Sequence, residues 1–266
     1  MKIINKNIKK YGLVLPKEKK GITFGYAKKL NRISINPNKQ WVNSLPEYEP
    51  QFEKGWDSFG CTVWGWENAI EIMDRFLFKI SSNYSERYIY NIVPIRPEGG
   101  DPYAVARAIK DNGLIEQAKL PMVDTFDEFC TPTPMTQELL NLGQLWGKEF
   151  DFEEINFPVK SEDRIKMIKD LLQYCPIPAS VTAWIKREDG IFIDGGEPNC
   201  HWCVIVGFDD QKRAFLIFDS YDQELKEYDY DSMISCGAFF TYKKGKYVKK
   251  NVFIEKIKSL LSFLWK

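Results

Sequence analysis

The sequence predicts an α+β fold, and three observations carry that expectation. Within residues 41–242, helical apolar spacing is confined to the part before Pro178, short strand-like segments succeed the helices there instead of interleaving with them, and no repeat of fixed period is present in the chain. A doubly wound parallel sheet alternates strands with helices, so this order excludes it.

The elements follow in chain order. Residues 1–40 form a basic arm with short alternating pieces, Gly21-Ile22-Thr23-Phe24-Gly25-Tyr26 and Arg32-Ile33-Ser34-Ile35, divided by Pro16 and Pro37, and read as loosely strand-like. From Cys61 to Phe78, apolar groups recur at Val63, Trp66, Ile70, Met73 and Leu77, the spacing of a largely buried helix beginning at or next to Cys61. Asp101-Pro102 is an N-cap followed by a first-turn proline, and Asn112-Gly113 supplies a C-cap glycine, which predicts a second helix between them. Further helices are expected over 134–146 and 161–174. Strands are expected at 179–184, 201–208, 214–219 and 237–242, the middle two joined by the turn Asp209-Asp210-Gln211-Lys212. Residues 251–266 place Phe253, Ile257, Leu260, Leu261 and Leu264 on one face and lysines on the other, a basic amphipathic helix.

Among 266 residues, 37 Lys+Arg balance 37 Asp+Glu, but the zero sum describes no part of the chain. Residues 1–40 hold eleven basic groups and one acid, net +10; residues 243–266 hold eight and one, net +7; residues 41–242 therefore hold 18 and 35, net −17. Three units follow: the basic arm 1–40, an acidic body 41–242 and a basic C-terminal helix 243–266. An acidic body repels nucleic acid and attracts its own arm or basic substrates. Six scattered cysteines are too sparse for a disulfide scaffold and point to a reducing compartment. The start of the chain carries no secretory signal, and no run approaches the roughly 18 apolar residues of a membrane span. A cytoplasmic protein, or one assembled into a particle from the cytoplasm, is expected, without stable membrane insertion.

Chemistry is narrowed by the single histidine, since any mechanism built on imidazole must use His201. Cys61 stands where a loop turns into a buried helix, and a helix N-terminus favours thiolate. If the strands after His201 form a hairpin around residues 209–212, their far ends meet, so Asp219 can hold one imidazole nitrogen while the other faces Cys61. The plain alternatives are a structural histidine and a buried structural cysteine. Cys200-His201-Trp202-Cys203 makes a poor metal or redox cluster, because on a strand Cys200 and Cys203 point to opposite faces and no further ligands accompany them. No metal or cofactor is called for.

At these residues the chain resembles the papain-like cysteine peptidases. Cys61, His201 and Asp219 stand in that family's order, with the first two 140 positions apart. Ser85-Glu86-Arg87 resembles the family's Ser-Glu-Gln after the central helix, and Gly99-Gly100-Asp101-Pro102 its Gly-Gly-x-Pro substrate-binding segment. Asn112-Gly113-Leu114 with Pro121, Asp189-Gly190-Ile191-Phe192 and Phe218-Asp219-Ser220-Tyr221 resemble further family segments, the last standing where the family has Lys-Asn-Ser-Trp. The likeness runs over about residues 45–242. It implies a helical subdomain with a long central helix and an antiparallel sheet or barrel subdomain, with the active-site cleft between them. It also implies a Cys61–His201–Asp219 triad and substrate contacts at Gly99, Gly100, Cys200 and Trp202.

Four departures accompany the likeness. Ser58-Phe59-Gly60-Cys61-Thr62 replaces the family's Cys-Gly-Ser-Cys-Trp box. Position 55, six before Cys61, is Gly where the family has its oxyanion Gln, so Gln51 serves only if the loop carries a four-residue insertion; the Cys61 backbone N–H is the other donor. Trp202 replaces a small residue and would fill or narrow a substrate pocket. Asp219 replaces Asn as orienter, as in the related bacteriocin-leader peptidases. The expected function is hydrolysis of peptide amide bonds through a thioester. The alternatives are a papain-fold binding or structural module with little or no activity, and a Cys-His amidase acting on cell-wall peptides. The arm is expected to cross the cleft as a short propeptide does, or to bind nucleic acid or a partner protein, and the C-terminal helix to pack on this chain or another copy.

Overall fold

A computed structural model of the chain describes residues 13–14, 36–53, 55–93, 95, 99–130, 136–147, 150–196, 200–222 and 225–242. The expected strand pieces within the arm and the basic C-terminal helix lie outside these residues.

A two-residue hairpin, β1 (Phe52–Glu53) and β2 (Trp56–Asp57), precedes the first helix, α1 (Cys61–Phe78). Gly60 caps α1, its carbonyl accepting from the N–H groups of Val63 at 2.8 Å and Trp64 at 3.2 Å. A Cβ at position 60 would sit 2.6 Å from the Trp64 ring, so only glycine lets the loop turn this tightly into the helix. Lys79, in the left-handed region at φ 58°, ends the helix. Every residue from Cys61 to Asp74 is buried, because the expected apolar face meets the sheet while the opposite face is covered by α2 (Glu86–Ile92) and α3 (Pro102–Asn112). Asp101 caps α3 by accepting the Tyr103 N–H at 2.8 Å, and Gly113 closes it at φ 71°, as the Asp-Pro and Asn-Gly signals predict. Then come α4 (Phe126–Cys130), α5 (Gln137–Gly147), β3 (Phe150–Asn156) and α6 (Ser161–Leu171).

The remaining chain builds β4 (Ile177–Val181), β5 (Ile185–Lys186), β6 (Phe192–Ile193), β7 (His201–Asp209), β8 (Ala214–Phe218), β9 (Lys226–Asp229) and β10 (Cys236–Tyr242). With β3 they form one sheet of order β3-β10-β4-β7-β8-β9-β6-β5, antiparallel throughout except at the β6–β9 pair. The helical layer and this sheet are the two halves of an α+β fold. β4 and β7 are central, and α1 lies across them, which is why both read as nearly unbroken apolar runs instead of alternating. The expected strands correspond to β4, β7, β8 and β10. β3 and α2 were not expected: Phe150–Asn156 becomes a strand through its register with β10, Phe152 opposite Phe240, and α2 is too short to show helical periodicity.

Asn36 to Trp41 are stitched to the body. The Asn36 N–H donates to the Gln173 carbonyl at 2.9 Å and the Trp41 N–H to that of Val206 at 2.7 Å. The Gln40 side chain fills the bulge between Ile205 and Gly207, donating to the Phe208 carbonyl at 2.9 Å and accepting its N–H at 3.3 Å. A Cβ at Gly207 would lie 2.0 Å from the Gln40 oxygen. Among the described residues, no helix is long and apolar enough to cross a membrane.

Candidate active site

The sequence-predicted residues gather where the start of α1 meets the ends of β7 and β8. Cys61 is the first residue of α1, and its sulfur meets the backbone of Trp202, the neighbour of His201 on β7. The thiol is completely buried, and burial pushes its pKa up against the opposing effect of the Trp202 backbone hydrogen bond; the charges of Asp57 and Asp219 push it further in the same direction. In this closed arrangement Cys61 is held as the thiol.

The β7–β8 hairpin forms as expected, with Asp209 opposite Ala214 and Val204 opposite Phe218, and its far ends converge. His201 Nε2 and Asp219 Oδ1 are 2.6 Å apart and both residues are buried. Two rings hold the imidazole: Trp184 meets it edge-on at 5.6 Å between centroids, and Tyr221 lies at 5.4 Å. The Tyr221 hydroxyl is fixed in turn by donating to Asp57.

Sequence reasoning missed Lys226. Its Nζ lies 2.7 Å from Asp219 Oδ2 and also donates to Asp222, and the side chain is 1% exposed. Burial works to raise the Asp219 pKa, but the charges and hydrogen bonds of His201 and Lys226 prevail and hold it at about 2. The available signal was the alternation Lys226, Tyr228, Tyr230, which puts a lysine on the inward face of a strand.

Gln51 is buried beside the same group. Its backbone N–H donates to the Ser220 carbonyl at 2.8 Å, its Oε1 accepts from Ser220 Oγ at 2.5 Å, and its Nε2 donates to Asp57 Oδ1 at 3.2 Å. The Ser58 N–H returns to the Gln51 carbonyl at 3.2 Å, so the β1–β2 hairpin is an excursion that leaves residues 51 and 58 adjacent. The Ser58 hydroxyl then accepts the Gly60 N–H at 3.1 Å, which links Gln51 to the helix start in two steps.

Gly99, at φ 108°, and Gly100 are both buried. A Cβ on Gly100 would lie 2.9 Å from Thr62 Oγ1, so this segment runs directly beside the helix start that carries Cys61. Leu13 of the basic arm bridges Gly100 in parallel, and the Val14 N–H donates to the Gly100 carbonyl at 3.0 Å. Trp202 is wholly buried against α1 and α3: a Cβ on Gly65 would meet its ring at 2.6 Å, and Tyr103 lies edge-on at 6.0 Å. Cys200 is half-buried, with its sulfur 3.9 Å from the Ala183 carbonyl oxygen.

No protein-family model matches the sequence, and no curated protein is similar to it. Solved structures do match. The proform of the Amb a 11 cysteine protease, a ragweed pollen allergen, superposes with a TM-score of 0.56 at 16% identity, over 85% of this chain and 71% of that one. The bromelain protease of Ananas comosus in complex with the E64 inhibitor gives 0.54 at 14% identity, over 77% of this chain and 98% of that one. Xylellain, a cysteine protease from Xylella fastidiosa, gives 0.53 at 15%, over 77% and 88%. The chain has a papain-like fold.

Proposed function

We propose that this papain-like chain is a cysteine peptidase whose catalytic body is residues 41–242. Cys61 is the nucleophile, His201 the proton carrier and Asp219 the group that orients it. The observation that supports this most directly is the buried 2.6 Å contact of His201 Nε2 with Asp219 at the end of β7, one residue from the backbone that touches the Cys61 sulfur. With Nε2 committed to Asp219, Nδ1 is the nitrogen that exchanges a proton with the thiol. The thiolate attacks the amide carbonyl, the Cys61 N–H and the Gln51 amide stabilise the oxyanion, His201 gives its proton to the leaving amine, and water releases the acid from the thioester. Gly99 and Gly100 receive an extended peptide backbone and Cys200 shapes the wall beside His201, while Trp202 fills the space between α1 and α3. Leu13 and Val14, paired with Gly100, act as an inhibitory strap.

A second reading, a papain-fold binding module without activity, is favoured by two observations: Cys61 is buried and Gly100 is already paired by Val14 of the arm. Casein cleavage and labelling by a thiol-directed epoxide separate the two. The peptidase cleaves casein and is labelled at Cys61, and Cys61→Ala loses both. No cleavage and no Cys61 label, with the arm intact or detached, leaves the module.

A further inference from the structure

Asp219 accepts from two cations or potential cations at once. Oδ1 faces His201 Nε2 at 2.6 Å and Oδ2 faces Lys226 Nζ at 2.7 Å, with all three residues buried. Lys226 reaches this position because β9 pairs with β8 in the register Ile217–Lys226, which aims its side chain back under the end of β8. Its Nζ lies 4.9 Å from the centre of the Trp184 ring and 5.6 Å from that of Phe192, so aromatic faces replace water around the ammonium. Trp184 also touches His201, which makes one compact unit of His201, Asp219, Lys226 and Trp184.

A carboxylate alone beside a buried imidazole favours the imidazolium and resists giving up its proton. A carboxylate already paired with an ammonium presents little net charge, and so acts on the imidazole much as a neutral amide does. We infer that Lys226 is a positioning residue whose ammonium, buried on Asp219 and shared with the more exposed Asp222, offsets much of the Asp219 charge, so that the carboxylate fixes the His201 ring without trapping its proton. This rests on the peptidase reading for its consequence in catalysis, but not for its measurement. Other titratable or charged groups around the unit are Cys61 from α1, Asp57 from β2, Tyr48 from the segment before β1, Cys200 and Cys203 at the start of β7, Tyr221 and Asp222 after β8, and Tyr228 from β9.

The chain has one histidine, so the NMR titration of its imidazole nitrogens in the tag-free protein needs no assignment. Lys226→Met leaves Asp219 unbalanced, and the His201 titration midpoint rises by at least about one pH unit, a tenfold gain in proton affinity. Asp219→Asn leaves Lys226 facing the ring and lowers the midpoint. Asp219→Asn with Lys226→Met removes both charges and returns it to within about half a unit of wild type. An unmoved midpoint in Lys226→Met, or a double variant no nearer wild type than the singles, overturns the inference. If Lys226→Met does not fold, the double variant decides: folding with a wild-type midpoint supports the pairing, and unfolding where Asp219→Asn alone folds shows Lys226 to be structural and overturns it. A wild-type chain that hydrolyses no peptide ends the peptidase reading and leaves this titration intact. Normal hydrolysis with an unmoved midpoint ends only the pairing.

Discussion

Val14 donates its backbone N–H to the carbonyl of Gly100 at 3.0 Å, so the segment that resembles a substrate-binding strand already carries a piece of the chain's own arm. The net +10 of the arm against the net −17 of the body favours the same docking at low ionic strength. Val14→Pro removes that donor without shortening the chain. The loss of one backbone hydrogen bond, about 1 kcal/mol, is expected to raise the rate of Cys61 alkylation several-fold, up to about tenfold. Added salt is expected to raise the wild-type rate toward that of the variant. An alkylation rate equal to wild type at all salt concentrations removes the strap.

Gln51 tests the oxyanion assignment. Its amide is held by Ser220 and Asp57, so Gln51→Ala disturbs both the hydrogen-bond chain and the donor. For a transition-state donor, kcat toward a fluorogenic peptide falls about 100-fold while KM stays within a few-fold. A loss confined to KM assigns Gln51 to binding instead.

Three glutamates are buried together with Asp74: Glu67 and Glu71 one turn apart on α1, and Glu86 at the start of α2. Burial raises the pKa of each glutamate, with repulsion from neighbouring carboxylates, Glu49 among them, adding to it, and both Glu67 oxygens lack a hydrogen-bond partner among the described residues. A carboxyl whose folded pKa is raised contributes its full stability below the ordinary carboxyl range and loses it as pH climbs above that range. Glu67→Gln removes the titration, so it is expected to raise Tm by about 3 °C at pH 8, and by much less at pH 4. Thermal melts across that range check the slope, and an equal shift at both pH values contradicts it.

Arg164 is a buried staple between two loops. Its guanidinium donates to the carbonyls of Pro158 at 3.3 Å, Val159 at 3.0 Å and Ser232 at 3.1 Å, and to those of Tyr230 and Asp231 at 3.4 Å. Arg164→Met keeps the stem and orphans these acceptors. A loss of about 3 kcal/mol by urea unfolding is expected. A loss under about 1 kcal/mol would mean that the carbonyls find other donors.

Much of the fold was legible because its signals are local. The bounds of α1 and α3 follow from apolar spacing, the Asp101 cap and the Gly113 stop, and the β7–β8 hairpin from two apolar runs around a polar turn. β3 was not legible, since its identity as a strand comes from β10, more than eighty residues further on. Cys61, His201 and Asp219 were named from residue type and order, and the hairpin brings the last two into contact. Lys226 was passed over because a lone lysine in a polar stretch carries no sign of the carboxylate that will bury it.

The amino-acid order by itself determined that helices precede strands, that one helix starts at Cys61 and that only one imidazole is available, because helix caps, periodicity and composition act within a few residues or need no geometry at all. Only the tertiary structure decided that Gln51 meets Ser220 across 169 residues, that the arm lies on Gly100 and that Asp219 shares its charge between His201 and Lys226. Those outcomes depend on which distant groups are desolvated together, and burial of a charge is settled by its partner rather than by its neighbours in sequence.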